Sequence, residues 1–414
     1  MIQDKALEIL KGTDNVFLTG QPGTGKTYLI NKYIEWCLDN GIVPTITAST
    51  GIAAIHVGGS TLHSFAGVYN DNKLTHEDIE EILAKSWIRQ KMTATDVLII
   101  DEISMVSAAL LDAVDILARE ARGRRDKPFG GMRVIFVGDF FQLPPVKGEY
   151  AFNSGSWRDA YSKGMKVCYL HEQYRQSDKV FNDILTGVRA GVLDDTQKQL
   201  LRDRIVTDAS GLGAIRLDTH NANVDKINTG KLQRLEGDMQ SYQMSSYGNE
   251  KAVVGLIKNC LSPEKLFLKV GAPVLFTKND LLGAWVNGTQ GVVEAMTEHS
   301  VSVRITSNDK VVEVPIAEWE LAEGYGKHKN VIATIMQIPL KLAWAITIHK
   351  SQGMTLDSAV MDVSRAFAPG QGYVAVSRVR SLEGVYFQGR LTKGFLKVDK
   401  TVVEMDKEFI RLGM

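Results

Sequence analysis

The octapeptide GQPGTGKT, Gly20 to Thr27, constrains this chain more than any other stretch. NVFLT before it reads as a short buried strand. TYLINKYIEWCLDNG after it repeats Leu29, Ile30, Tyr33, Ile34 and Cys37 at helical spacing, with Gly41 as the stop. A strand, a glycine-rich turn and a helix N-terminus in that order make a P-loop. The backbone N–H groups around Gly23, Thr24 and Gly25 turn inward on phosphate oxygens, and the helix dipole adds positive potential. Lys26 brings a mobile charge to the terminal phosphates, and Thr27 brings a hydroxyl for Mg²⁺. The chemistry implied is nucleotide binding, with ATP and Mg²⁺ as the expected ligands.

A P-loop needs a parallel sheet behind it, and the next segments supply one. IVPTITAS, DVLIIDEI (96–103) and RVIFVGDF (133–140) are apolar enough for central parallel strands, and they alternate with helical patterns. After Pro145 the composition shifts, and NSGSW (153–157) reads as a boundary. A second α/β set begins with AIRLDTH and a polar helical stretch from Asn223 to Glu236. Short β-rich runs follow (APVLFT, GVVEAMT, VSVRIT, KVVEVPI), separated by turn clusters such as VNGTQG and TSNDK, which suggests a small β-barrel insertion. LAWAITI and SAVMDVS return to the α/β style.

Composition narrows the class. Lysine plus arginine and aspartate plus glutamate are equal at 48 each, so a nucleic-acid partner would need a local groove and not a globally basic surface. Cys37, Cys168 and Cys260 have no paired spacing, which argues against a disulfide scaffold or a cysteine-rich zinc site. No run approaches the ~20 apolar residues of a membrane span, and the first residues lack a signal-peptide pattern. The expected setting is cytoplasmic, nucleoid-associated if the source is bacterial or phage, with no membrane partner and a monomeric chain.

Asp101 and Glu102 end the apolar run VLII. Asp101 is suited to Mg²⁺ and Glu102 to orienting the attacking water. GDFFQLPPV follows another strand and offers Gln142 to the γ-phosphate. YLHEQYRQ sets Tyr174, able to stack on adenine, beside Arg175, able to stabilise the transferred phosphoryl; GYVAVSRVRS offers Arg378 in the same sense. Each arginine taken alone also reads as a surface ion pair. FTKND, Phe276 to Asp280, imitates a guanine reader, yet Glu-Ile-Ser after Asp101 is not a GTPase switch.

Taken in order, these segments resemble a superfamily 1 DNA helicase of the type B branch, and most closely the PIF helicase family, with Dda and RecD helicases more distant. QDKALEIL resembles the Q-motif region, GQPGTGKT motif I, ASTGIAAIHVGGSTLHSF motif Ia and IIDEISM motif II. VGDFFQLPPV resembles motif III, YRQ motif IV, TIHKSQGMT motif V and YVAVSRVRS motif VI. LLDAVDILAREARGRRDKPFGG, Leu110 to Gly131, resembles the PIF signature.

The resemblance implies an α/β protein of two RecA-like P-loop motor domains, with ATP between them, a small 1B wedge insertion and a β-rich SH3-like 2B insertion. Residues 1–63 and 96–150 would form domain 1A, 64–95 the wedge, 151–225 and 339–414 domain 2A, and 226–338 the 2B region. Gln3 would read adenine. Lys26, Thr27, Asp101, Glu102 and Gln142 would act from the first motor domain, and Arg175 and Arg378 from the second. The expected activity is 5′-to-3′ translocation on single-stranded DNA and unwinding of tailed duplexes; a strand-binding or remodelling ATPase without unwinding is the alternative.

By motif position the strand would meet Thr50, Thr61, His63 and Phe65 on the first domain, and Asn287, Gly288, His349, Lys350 and Ser351 on the second. Phe65 reads equally as core, Trp285 beside the Asn-Gly turn is a lesser candidate for the strand, and Trp87 reads more readily as core than as a wedge. In ITIHKSQGMTLD, Ile346 to Asp357, His349, Lys350 and Ser351 would face DNA while Gln352 and Gly353 face the γ-phosphate.

Overall fold

The computed structural model describes residues 1–68, 71, 73–173, 178–209, 211–280, 282–323, 330–362, 368–389 and 391–413. The chain divides into two compact units. One comprises Met1–Arg175, Leu321–Val331 and Asp399–Met414; the other comprises Gln176–Glu320 and Ile332–Val398. No helix of the described residues is long and apolar enough to cross a membrane.

The first unit is built on strands β1 (Val16–Gly20), β2 (Pro44–Ala48), β3 (Ser60–Thr61), β4 (Val97–Asp101), β5 (Arg133–Gly138) and β6 (Lys166–Leu170). They form one sheet in the order β3-β2-β4-β5-β1-β6, and every pairing is parallel. β1 is buried throughout, as a parallel strand covered on both faces must be. One layer of cover comes from the helix Gln3–Leu10 and the helix Lys26–Asp39, which pack Ala6, Leu10, Leu29, Ile30 and Tyr33 against Val16, Leu18 and Ile99. On Phe17 an aromatic cluster gathers Trp157, Phe140 and Phe409, with ring centroids 4.9–5.4 Å from it.

That cluster moves two expected boundaries. The sequence division ended domain 1A at residue 150, but β6 continues the first sheet, with Val16 opposite Lys166 and Gly20 opposite Leu170. The helix Gly155–Ser162 buries Trp157 in the same unit. The last helix, Lys400–Leu412, was assigned to domain 2A, yet its buried Phe409 makes it part of the first unit. Apolar patterning located these elements; it carried no information about which sheet they would cover.

Between motif Ia and β4 lie two helices, His76–Ala84 and Ser86–Ala94. The first opens on a capping box between Thr75 and Asp78. Ile82, Leu83, Ile88 and Met92 are buried, while Trp87 is half exposed with the Lys91 ammonium 5.2 Å from its ring centroid, contrary to the core reading of this tryptophan. The signature segment explains how this insertion is held. Arg122, at the end of the helix Ala108–Arg122, donates to the carbonyls of Met92 (2.9 Å), Thr93 (3.3 Å), Thr95 (3.0 Å) and Gly130 (3.0 Å). It thereby satisfies the final carbonyls of the second insertion helix, which no intrahelical donor reaches. Asp115 accepts from the Phe129 N–H (2.5 Å) and pairs with Arg119, which also reaches Asp159. Arg122→Ala is expected to cost about 1–3 kcal/mol. Urea unfolding should show this loss, and amide exchange should accelerate first in residues 86–95; unchanged exchange there would refute the clamp.

The second unit contains β7 (Ile215–Asp218), β8 (Gln240–Gln243), β9 (Ser245–Gly248), β10 (Lys265–Leu268), β11 (Pro273–Phe276), β12 (Gln290–Met296), β13 (Ser300–Ile305) and β14 (Val311–Pro315). β15 (Ala317–Glu323) and β16 (Asn330–Gln337) straddle the division, and β17 (Leu340–Leu342), β18 (Ala345–Thr347), β19 (Ala359–Asp362) and β20 (Val385–Gln388) complete the set. A parallel sheet β18-β7-β19-β20 is the second α/β layer, and an antiparallel sheet β14-β13-β12-β11-β17 is the β-rich insertion. The helix Asn221–Arg234 belongs to the α/β layer, because Asn228 exchanges two hydrogen bonds with the backbone of Ala345. The region expected as 2B from residue 226 therefore opens inside a helix of the α/β layer, and the β-rich insertion lies beyond it.

Candidate nucleotide and strand sites

In the first unit, four loops leave the carboxyl ends of adjacent parallel strands. β1 runs into the P-loop, its neighbour β5 into Asp139 and Gln142, β4 into Asp101 and Glu102, and β2 into Thr50. The registers keep these ends level: Thr19 lies opposite Gly138, and Ala48 opposite Asp101. With strands about 5 Å apart, residues distant in sequence are brought within reach of one small ligand.

The P-loop adopts its turn because Gly23 (φ 87°) and Gly25 (φ 81°) occupy left-handed backbone that other residues avoid. Gly25 caps the helix Lys26–Asp39, whose first N–H groups face the loop. Thr24 is buried and its hydroxyl donates to the Gln21 carbonyl (2.9 Å). The Lys26 ammonium donates across the loop to the carbonyls of Gly20 (2.7 Å) and Gln21 (3.1 Å). Thr27 is exposed at the first turn of the helix. Gln3 donates from Nε2 to the Thr24 carbonyl (3.1 Å), which joins the first helix to the loop. Arg133 fixes that helix from its other end, donating to the carbonyls of Leu10 and Asp14 and to the Tyr33 hydroxyl.

Burial pushes the Asp101 carboxyl pKa up, against the opposing pull of the Glu102 N–H (2.9 Å) and the Lys26 charge. A carboxylate so placed gains from a cation beside it. Together with the Thr27 hydroxyl it offers the hard oxygen donors that suit Mg²⁺, which takes one or two protein ligands and completes its shell with water and phosphate. Among the described residues no cluster of three His, Cys, Asp or Glu side chains forms a fuller metal cage. Glu102 sits at φ 52°, ψ 47°, a left-handed conformation costing a non-glycine residue roughly 1–2 kcal/mol. Gln142 is buried, with its N–H on the Asp139 carbonyl (2.9 Å).

Tyr174 and Arg175 lie outside the described residues. Just before them, Gln173 donates to Gln21 Oε1 (2.5 Å), so a side chain that sequence reasoning did not single out touches the P-loop. Its only signal was its position after a strand that proved to neighbour β1.

Motif Ia places its threonines as helix caps. Thr50 accepts from Ala53 N–H (3.2 Å) and Thr61 from Ser64 N–H (3.1 Å). His63 Nε2 lies 2.6 Å from Asp71 Oδ1. Phe65 is fully buried, which resolves its two readings in favour of core.

In the second unit, the stretch after β18 forms a short helical turn, His349–Ser351. His349 is at the surface, and partial burial draws its pKa below the usual imidazole value. Lys350 is half-buried. Ser351 is fully buried and its hydroxyl donates to the Ile348 carbonyl (2.8 Å), so it stabilises the turn and does not face a strand as expected. Among the described residues Gln352 Nε2 is buried with no hydrogen-bond partner, a donor that a ligand oxygen would satisfy. Gly353 follows with φ 74°.

Asn287 and Gly288 are also buried, and this corrects their reading as strand contacts. The Asn287 N–H donates to Asn279 Oδ1 (2.7 Å), and a Cβ on Gly288 would lie 2.8 Å from the Thr355 carbonyl and 3.0 Å from Met354 Cβ. The β-rich insertion thus presses its Asn-Gly turn onto the exit of motif V, an approach only glycine permits. Trp285 packs on Phe276 in the same core. The apparent guanine reader is structural: Thr277 bonds Ser262, and Asp280 accepts from Leu282 and Ala284.

Motif VI is tied to motif V by the Leu356 N–H to Arg378 carbonyl bond (2.8 Å) and its return from Arg380 (3.1 Å). Arg378 is buried; its guanidinium donates to the Val374 carbonyl (2.9 Å) and to Ser377 Oγ (2.8 Å).

The PIF1-like helicase family model matches residues 2–199. The ATP-dependent DNA helicase Pif1 of Psychrobacter sp. is 37% identical, with all of this chain and 71% of that protein covered. The Bdellovibrio bacteriovorus Pif1 is 36% identical over 98% of this chain and 91% of its own length. PIF1 of Xenopus laevis is 39% identical over 92% of this chain, which spans 60% of the length of that longer protein. The crystal structure of Bacteroides sp Pif1 in complex with ADP-AlF4 is similar at a TM-score of 0.88 and 32% identity, covering 99% of this chain and 97% of that one. Bacteroides Pif1 bound to ssDNA matches at a TM-score of 0.64 and 32% identity, with the same coverage.

Proposed function

The chain belongs to the PIF1-like helicase family, and we propose that it is an ATP-driven helicase that moves 5′ to 3′ along single-stranded DNA and unwinds tailed duplexes. The observation that carries this reading is the convergence of three motif loops, the P-loop, Asp101–Glu102 and Asp139–Gln142, at the carboxyl ends of adjacent strands of the first sheet, each with a residue type that phosphoryl transfer needs.

In this reading the P-loop N–H groups and Lys26 hold the phosphates. Gln3, already bonded to the loop at Thr24, contributes to adenine recognition, as does the ring of Tyr174. Mg²⁺, held through Thr27 and Asp101, would neutralise charge on the phosphate oxygens. Glu102 orients and polarises the attacking water, and Gln142 and Gln352 donate toward the γ-phosphate. The role assigned to Arg175 and Arg378 is stabilisation of the charge that develops on the phosphoryl group. Thr50, Thr61 and His63 on the first unit, and His349 and Lys350 on the second, would bind the strand backbone without regard to sequence. Two features support a link between chemistry and strand: Lys350 and Gln352 are two residues apart on one turn, and that turn is braced by Gly288 and by motif VI.

Strand displacement on matched duplexes with a 5′ or a 3′ single-stranded tail tests the reading. Unwinding of the 5′-tailed substrate alone is expected. Preference for the 3′ tail would overturn the polarity, and phosphate release indifferent to single-stranded DNA would overturn the helicase itself. DNA-stimulated hydrolysis without displacement would favour a strand-remodelling ATPase.

A further inference from the structure

The second unit contains a cavity of about 480 Å³, within the ~300–1,000 Å³ usual for small-molecule sites. The helix Asn221–Arg234, the segment from Cys260 to Phe267 and the run Lys341–Ile346 line it, together with Lys350 of motif V. Leu232, Leu261, Leu266 and Leu342 make much of the lining apolar.

The charges around this chamber are unbalanced. Its lining includes three amines, Lys265, Lys341 and Lys350, against a single carboxylate, Asp225; the Cys260 thiol beside them is kept protonated by burial. Among the described residues neither Lys341 nor Lys350 makes a side-chain hydrogen bond or ion pair, the Lys350 backbone N–H alone bonding Thr347 Oγ1, and Asp225 pairs with neither. Burial, and then the Lys350 charge, bring the Lys341 pKa down to about 7. An amine whose ammonium form is disfavoured beside an apolar wall regains its charge when an anion joins it.

We infer that this cavity binds a small organic acid with an apolar body, its carboxylate held by Lys341 and Lys350. A nucleic-acid phosphodiester fits less well, because its hydrophilic backbone leaves the leucine walls unsatisfied. Lys350 also belongs to the turn assigned to the strand, so the acid and single-stranded DNA compete for one lysine. That competition rests on the proposed function; the binding itself does not.

Titration calorimetry of the full chain with sodium octanoate, without nucleotide or DNA, tests the site. One octanoate per chain is expected, and 1-octanol should bind at least about tenfold more weakly for want of the charge-assisted contacts. At about pH 8, where Lys341 is mostly neutral, binding should take up a proton and the heat should depend on the buffer's ionisation enthalpy. Lys341→Met should weaken octanoate binding by about tenfold or more while thermal melting confirms the fold, and Lys350→Gln, on a different element, should do the same. Absence of saturable heat, equal binding of octanol, wild-type affinity in both variants, or saturable binding of the dinucleotide dTpdT in place of octanoate would overturn the proposal. If octanoate binds as expected but leaves oligo(dT) affinity unchanged, the acid site stands and the strand role of Lys350 falls.

Discussion

Lys26→Ala is expected to reduce DNA-stimulated ATP hydrolysis by about three orders of magnitude, the scale on which removing one preorganised charge from a transition state acts. The fold should survive. Lys26 donates to two loop carbonyls, but the turn itself is set by Gly23 and Gly25, by the Thr24 to Gln21 bond and by the helix that follows. The variant should therefore melt near the wild-type temperature and lose strand displacement together with phosphate release. A loss of less than about tenfold would mean that another cation serves the phosphates.

Glu102→Gln should separate binding from chemistry. Glutamine keeps the size of the side chain and can occupy the same left-handed backbone, but it cannot accept a proton from water. Loss of a general base typically costs about 10²–10⁴ in rate. The expected outcome is a kcat reduced on that scale, with nucleotide affinity changed by less than about threefold, since no ground-state phosphate contact is assigned to this residue. An unchanged kcat would remove Glu102 from the mechanism, and a collapse of nucleotide affinity would give it a binding role instead.

The two predictions differ in how far the sequence alone could support them. Lys26 was legible at once, because the P-loop is a local object: strand, turn and helix are contiguous, and glycine spacing dictates the turn. Glu102 was legible as a carboxylate at a strand end. Its left-handed backbone and its level with the P-loop follow from strand order and register, which no single segment encodes.

The strand-facing residues show the reverse. Motif position nominated Phe65, Ser351, Asn287 and Gly288, and burial withdraws all four from a surface role. Their chemical types suit DNA, but side-chain type does not say which face of a turn is covered. Ser351 is consumed by a carbonyl three residues back, and Gly288 is there because motif V comes too close for a Cβ. Conversely, Gln173 and Arg122 carry contacts that their local sequence does not advertise.

What the sequence by itself determined is the set of local units: the P-loop, the apolar strands within a residue or two of their ends, the β-rich insertion and the order of motifs that marks the family. These depend on periodicity, turn chemistry and short spacings, all of which act between near neighbours in the chain. What only the tertiary structure decided is which sheet each unit joins. The helix Gly155–Ser162 and the last helix go to the first unit because Phe17 needs Trp157 and Phe409 to cover it, and burial of that kind is non-directional and indifferent to distance along the chain. The cavity beside Lys341 arises for the same reason: its walls come from three segments whose sequences contain no sign that they meet.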